Sequence, residues 1–85
     1  MEEFIQKLKS LFTQHFSASD LEVEPAGNNR VGGFLIWEGF SGLEQIERQR
    51  KVWKFLRQEL RPEEQFMISA ILTLTPEEMA SARAG

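Results

Sequence analysis

Cationic side chains at helical spacing are the feature of this sequence with the clearest chemistry. The residues are Arg50, Lys54, Arg57 and Arg61, at intervals of four, three and four residues, which places them along one side of a helix. We call these four residues the basic stripe. Such a row is suited to contact with phosphates. The alternative is a solvated helix face stabilised by nearby carboxylates, and the sequence leaves both open.

Two more cations, Arg48 and Lys51, are expected to widen the basic stripe. The negative charges of Glu44 and Glu47 partly offset the positive charge at its N-terminal end. The opposite side of this helix is predicted to face the core with Gln49, Val52, Phe55, Leu56 and Leu60. The chain as a whole has a formal net charge of −3, so no overall field steers it towards nucleic acid. Any such contact must come from a local patch.

The usual candidates for catalysis are missing from this sequence. A nucleophile, a base and an orienting group must lie within reach of one another, yet His15 is the single histidine, and cysteine and tyrosine are absent. Adjacent glutamates such as Glu63 and Glu64 would point about 100° apart on a helix instead of converging. We therefore expect a protein that is not an enzyme. We interpret His15 as a helix-terminal side chain whose charge interacts with the helix dipole.

The absence of cysteine from the 85 residues narrows the cofactor chemistry. Disulfides, thiolate zinc sites and iron–sulfur clusters held wholly by this chain's own thiolates are excluded, and we expect no cofactor. No stretch stays apolar for the roughly 18 residues of a membrane span, and no basic signal segment follows Met1. We expect a cytoplasmic domain without membrane contact.

The first half of the chain is predicted to form a helix and a hairpin. Residues 2–16 repeat apolar side chains at spacings of three and four, which is typical of an amphipathic helix. Residues 21–24 alternate between apolar and acidic side chains as a half-buried strand does, and Pro25 ends this strand. Residues 31–37 are predicted to form a second strand after a loop rich in glycine and asparagine, so the two strands should form a hairpin. A bulge or a close backbone approach is expected at Gly32 and Gly33.

The second half is predicted to form a helix, a strand and a helix. Ser41 and Glu44 have capping-box spacing, which predicts a helical region from Gly42 to about Leu60. Residues 66–74 are largely apolar and predict a strand buried on both faces. The crossover of about twenty residues before this strand is long enough to make it parallel to the preceding one.

A last helix is predicted by three residues at capping positions, N-cap, N1 and N3: Thr75, Pro76 and Glu78. Residues 81–85 are small and polar and are expected to fray. Trp37 is expected to pack in the core, whereas for Trp53 the sequence leaves packing and an exposed stacking surface equally open.

Residues 40–53 have the sequence FSGLEQIERQRKVW, and residues 73–78 have the sequence TLTPEE. Together they resemble the BolA-like family, whose pattern is F-x-G, five residues, R-H-R-x-V-aromatic, then T-x-T-P-E-E after the last strand. The resemblance implies one α+β domain over residues 1–85, with a BolA-like fold similar to class II KH domains. Its order is α-β-β-α-(α)-β-α, with helices packed on a three-stranded mixed sheet.

The resemblance also implies two roles. One is transcriptional regulation through DNA, with the helices after Ser41 forming a helix-turn-helix-like unit. The other is partnership with a monothiol glutaredoxin, in which a histidine of the BolA-like protein helps to hold a shared iron–sulfur cluster. The basic stripe lies on the helix that the family uses for recognition, so DNA is the first expectation and a protein partner is the alternative. The G-x-x-G loop of nucleotide-clamping KH domains is absent.

Three departures from the family affect the second role. The family histidine positions are occupied here by Arg30, Gln49 and Met67. A guanidinium, an amide and a thioether are poor or unusual substitutes for imidazole on iron, so we expect no bound metal and no cluster shared through the usual ligands.

A third hypothesis is a structural role, with assembly through an exposed strand edge. The oligomeric state does not follow from the sequence.

Overall fold

A computed structural model describes residues 2–84 of the chain. Its elements are α1 (Glu2–Phe16), β1 (Asp20–Pro25), β2 (Val31–Ile36), α2 (Gln45–Glu59), α3 (Pro62–Gln65), β3 (Ile68–Leu74) and α4 (Pro76–Ala84), with a 3₁₀ turn at Glu38–Phe40. This order confirms the predicted α+β architecture, including the short extra helix before the third strand. None of these helices has the length and apolar character that a membrane crossing requires.

The three strands form one mixed sheet with β2 in the centre. β2 pairs antiparallel with β1 and parallel with β3, as predicted. Asn28 and Asn29 take φ angles of 51° and 60° in the hairpin turn, a left-handed conformation that asparagine tolerates. The parallel register shifts between Val31 and Gly32, which confirms the bulge. A Cβ atom on Gly33 would collide with the backbone of β1, which confirms the close approach.

The core lies on one face of the sheet. Side chains that alternate along the strands supply its sheet side: Val23, Val31, Leu35 and Ile71. The apolar sides of the two long helices pack against them through Leu8, Phe12, Phe16, Val52 and Leu56. Both helices therefore bury the sides that their sequence pattern predicts, and the opposite side of α2 is turned towards solvent.

The expectation that the third strand is buried on both faces is wrong. Ser69, Ala70 and Leu72 are exposed, and Leu72 retains 62% of its accessible surface. The reason is that the two long helices pack on one face of the sheet, so side chains on that face, such as Ile71, are buried, whereas those on the other face, such as Leu72, stay exposed. A continuous apolar run does not by itself report how many faces of a strand are covered.

The predicted start of the central helix also needs correction. The central helix begins at Gln45, because Gly42 has a φ of 81° and cannot continue a right-handed helix. Its capping box is made by Glu44 and Glu47, and not by Ser41 and Glu44 as predicted. The last helix extends to Ala84, the fraying expected of residues 81–85 stays a prediction, and residue 85 lies outside the described residues.

Candidate binding surface

Four of the predicted cations stand exposed on α2: Arg50, Lys51, Lys54 and Arg57. None of the four forms a salt bridge with any residue among 2–84. The segment 49–58 contains no aspartate or glutamate, so no carboxylate on the same stretch offsets their charge. Arg61 follows at the start of α3, with its Nη1 atom 3.7 Å from Oε1 of Glu63. This face of α2 is a local concentration of positive charge on an acidic protein.

Arg48 does not lie on this face, and the expectation that it widens the basic stripe is wrong. It is 5% exposed, because residues two apart on a helix point in nearly opposite directions and Arg48 faces inward with Val52. Its Nε donates to the carbonyl of Leu43 at 2.9 Å, and its Nη1 donates to the carbonyl of Thr73 at 3.1 Å. The guanidinium also lies 5.9 Å from the ring centre of Phe40. These contacts give Arg48 a structural role.

The remaining partner of Arg48 is Glu78 on α4. Nη1 donates to Oε1 at 2.6 Å and Nη2 donates to Oε2 at 3.1 Å, a two-point ion pair between the central and last helices. Oε1 of Glu78 also accepts the backbone N–H of Thr75 at 2.8 Å, and Oγ1 of Thr75 accepts the N–H of Glu78 at 3.1 Å. The predicted capping box is confirmed. We call Arg48, Thr75 and Glu78 the clamp.

The clamp changes the acidity of its members. The hydrogen bonds from Arg48 and then from the Thr75 N–H lower the pKa of Glu78 from 4.5 to about 2. The same hydrogen bond to Glu78 raises the pKa of the Arg48 guanidinium, against the opposing effect of burial. Arg48 and Glu78 are therefore both charged at neutral pH. Elsewhere, a 2.8 Å hydrogen bond from Lys7 lowers the pKa of Glu64.

Two glutamines of α2 cover the free edge of β3. Nε2 of Gln49 donates to the carbonyl of Ile71 at 2.8 Å, and Nε2 of Gln45 donates to the carbonyl of Thr73 at 3.0 Å. The Thr73 hydroxyl donates to Oε1 of Gln45 at 2.7 Å. These bonds occupy carbonyls that a further strand would need, which counts against assembly through this edge. No sequence pattern predicts this role of Gln45, because its partner Thr73 lies 28 residues further along the chain.

A groove opens where α2 meets the hairpin turn and α3. Its volume is about 410 Å³, and its lining residues are Arg30, Trp53, Arg57, Pro62, Gln65, Phe66 and Ile68. Trp53 is half-buried and packs against the core, so it is neither fully core nor fully exposed. Phe66 is 75% exposed, although it was assigned from the sequence to a buried strand. We call this the aromatic groove.

The three family histidine positions do not line one common depression, although the depressions of Arg30 and Gln49 adjoin at Trp53 and Arg57. Arg30 lines the aromatic groove, Gln49 borders a shallower one beside Arg50, and Met67 lies in a third one with Lys7. Among residues 2–84, no group of three or more histidine, cysteine, aspartate or glutamate side chains is arranged to hold a metal ion.

The remaining aromatic side chains take packing positions. His15 lies in the last turn of α1, as predicted, and stacks on Phe55 with 4.1 Å between ring centroids. Trp37 contacts Phe16 and Phe40 edge to face, each at 5.1 Å between centroids, so its predicted core packing is confirmed. Neither side chain contributes to the basic face of α2.

Comparison with known proteins identifies the fold. No protein-family model and no curated protein matches this sequence. Among solved structures, BolA1 from Arabidopsis thaliana superposes with a TM-score of 0.68 at 22% identity, covering 88% of this chain and 94% of that one. The BolA domain of SufE1 from Arabidopsis thaliana gives a TM-score of 0.70 at 19% identity, covering 87% of this chain and 93% of that one. A Bol-like protein from Babesia bovis gives a TM-score of 0.69 at 20% identity, covering 93% of this chain and 92% of that one. The resemblance drawn from the two motifs is therefore confirmed at the level of the fold.

Proposed function

We propose that this domain, which has the BolA-like fold, is a non-catalytic binding module whose basic stripe contacts the phosphate backbone of DNA. The observation that carries the proposal is the exposed row Arg50, Lys54 and Arg57, none of which has a carboxylate partner among residues 2–84. Like charges three or four residues apart repel one another and destabilise a helix. An anionic partner that lies along the row removes this repulsion.

The length of the stripe fits several phosphates. Arg50 and Arg57 are seven residues apart on α2, which corresponds to roughly 10 Å along the helix, or about three base-pair steps of duplex DNA. The partner helix of the helix-turn-helix-like unit, α3, spans only Pro62–Gln65. We therefore propose contact with the backbone and not with base edges, and such contact is independent of the DNA sequence.

The double variant Arg50→Ala/Lys54→Ala tests the proposal. Each lost cation should lower the affinity for a labelled duplex by roughly tenfold, because charge-assisted hydrogen bonds are lost. Two fewer neutralised phosphates should also reduce the slope of log K against log salt by about 1.8. Fluorescence anisotropy over a series of salt concentrations, with two unrelated duplex sequences, measures both quantities.

A matched control removes the same net charge from elsewhere on the molecule. Lys9 and Arg83 pair with Glu22 and Asp20 at 3.5 and 3.6 Å, away from the basic stripe. The variant Lys9→Ala/Arg83→Ala should keep the wild-type affinity and salt slope. Equal losses in the two double variants would overturn the assignment to the stripe, because the effect would then follow net charge alone.

A protein partner is the second candidate function, and the exposed apolar side chains of the same surface favour it. Ile46 is 57% exposed on α2, and Phe66 and Trp53 lie close to arginines. Aromatic and arginine side chains dominate the binding energy of many protein interfaces. The family resemblance names a monothiol glutaredoxin as the partner to test first.

We expect a complex with glutaredoxin, if it forms, to lack a cluster ligated by this chain. Gln49 already donates its amide to the β3 backbone, and Arg30 and Met67 lie in other depressions. Titration with holo-glutaredoxin should leave the visible absorption spectrum of the cluster unchanged. A new spectrum that disappears in Gln49→Ala or Met67→Ala would contradict this expectation.

A further inference from the structure

The aromatic groove combines two flat apolar surfaces with two cations. Trp53 and Arg57 come from one side of α2, Phe66 follows α3, and Arg30 precedes β2. The volume of about 410 Å³ lies within the range of small-ligand sites. Three separate parts of the chain thus converge on one depression.

The exposure of Phe66 has a local cause. Phe66 ends α3 with helical backbone angles, and its N–H donates to the carbonyl of Pro62 at 3.3 Å. The next residues, Met67 and Ile68, turn inward, since Ile68 is 5% exposed and Met67 packs against the core. The turn therefore holds the Phe66 ring on the surface, where it is available for stacking.

The backbone of Arg30 is fixed although its side chain is exposed. Its N–H donates to the carbonyl of Gly27 at 2.9 Å, and its carbonyl accepts the N–H of Ala26 at 2.8 Å. Among residues 2–84, neither Arg30 nor Arg57 forms a salt bridge. Planar guanidinium groups bind phosphate through two hydrogen bonds and also stack on rings.

We propose that the aromatic groove binds one unpaired nucleotide of single-stranded DNA, with the base against Trp53 or Phe66 and its phosphate on Arg30 and Arg57. Two features favour a nucleotide over an acidic peptide: every base has a π-face for such rings, and Arg57 belongs to both the groove and the basic stripe. A strand that leaves the stripe would pass directly into the groove. The inference rests on the proposed function and narrows it to DNA with an unpaired segment.

The test uses the indole N–H resonance of Trp53, identified by its absence in Trp53→Phe. The probes are a five-residue thymidine oligonucleotide, a five-residue abasic strand with the same phosphates, and thymidine monophosphate. We expect the oligonucleotide to shift this resonance and to bind at least tenfold more tightly than the abasic strand. Binding of the monophosphate as tight as that of the oligonucleotide would overturn the proposal in favour of a free-nucleotide site.

Two variants separate the groove from the stripe. Arg30→Ala and Phe66→Ala should each weaken oligonucleotide binding by roughly tenfold and leave duplex affinity unchanged. Equal affinity for the thymidine and abasic strands, or no effect of either variant, would overturn the groove proposal even where the duplex binds. If the wild-type protein binds the oligonucleotide but not the duplex, the groove proposal is supported, and only the proposed contact between the basic stripe and duplex DNA is overturned.

Discussion

Replacing Arg48 with alanine is expected to lower the free energy of unfolding by about 2 kcal/mol, because the variant removes a buried guanidinium together with its hydrogen bonds and its ion pair to the partly exposed Glu78. The carbonyl of Leu43 loses its side-chain donor, that of Thr73 keeps only the donor from Gln45, and Glu78 loses the cation that holds α4 against α2. Urea unfolding followed by circular dichroism measures the change. Hydrogen exchange should show the largest loss of protection in α4.

Arg50→Ala is the matched control, because Arg50 lies on the same helix but is exposed and has no salt bridge with residues 2–84. It should change the free energy of unfolding by no more than about 0.5 kcal/mol. The two variants should also differ in function, since only Arg50 belongs to the basic stripe. Equal destabilisation by both variants would mean that the clamp contributes nothing beyond the loss of a helical arginine.

The local elements could be predicted because their signals are local. The three- and four-residue spacing of apolar side chains located α1 and α2, and the Thr75 and Glu78 spacing located the start of α4. The hairpin followed from residues that accept positive φ, such as Asn28 and Asn29. In each case the determining residues are within a few positions of one another.

The errors arose where an outcome depends on residues distant in sequence. The exposed face of β3 depends on α1 and α2 packing on the opposite face of the sheet, and a stretch such as 66–74 does not encode that. The ion pair of Arg48 with Glu78 joins residues thirty positions apart. The inward direction of Arg48 was nevertheless predictable, since it shares a helix face with Val52. The exposed ring of Phe66 had no local signal, because it depends on where α3 ends.

The motif residues explain the fold more than they explain function. Phe40 is fully buried, Gly42 supplies a left-handed turn, and Arg48 and Glu78 join the two motif segments through the clamp. A sequence can therefore keep this pattern for structural reasons alone. The proposed binding rests instead on exposed side chains, above all the basic stripe and Phe66, which the fold does not require.

Acid should weaken the clamp at a pH set by Glu78. Its pKa in the folded protein is about 2, below its ordinary 4.5, so the ionised carboxylate favours the folded state. This contribution is complete above the ordinary pKa and is lost as the pH falls from there towards the folded value. Glu78→Gln removes the titration and keeps the size of the side chain. The variant should therefore be less stable than wild type at pH 7, and the difference should diminish between pH 4.5 and 2.

The comparison with Glu78→Gln is needed because Glu64 titrates in the same direction. Lys7 lowers the pKa of Glu64, so wild type loses stability from both carboxylates in acid, whereas the difference between the proteins isolates Glu78. Urea midpoints at several pH values measure that difference, and a constant difference down to the lowest pH would contradict the assignment.

Duplex affinity of Glu78→Gln at pH 7 should equal that of wild type, because the clamp lies on the inward side of α2. Loss of binding there would instead mean that the clamp positions the basic stripe.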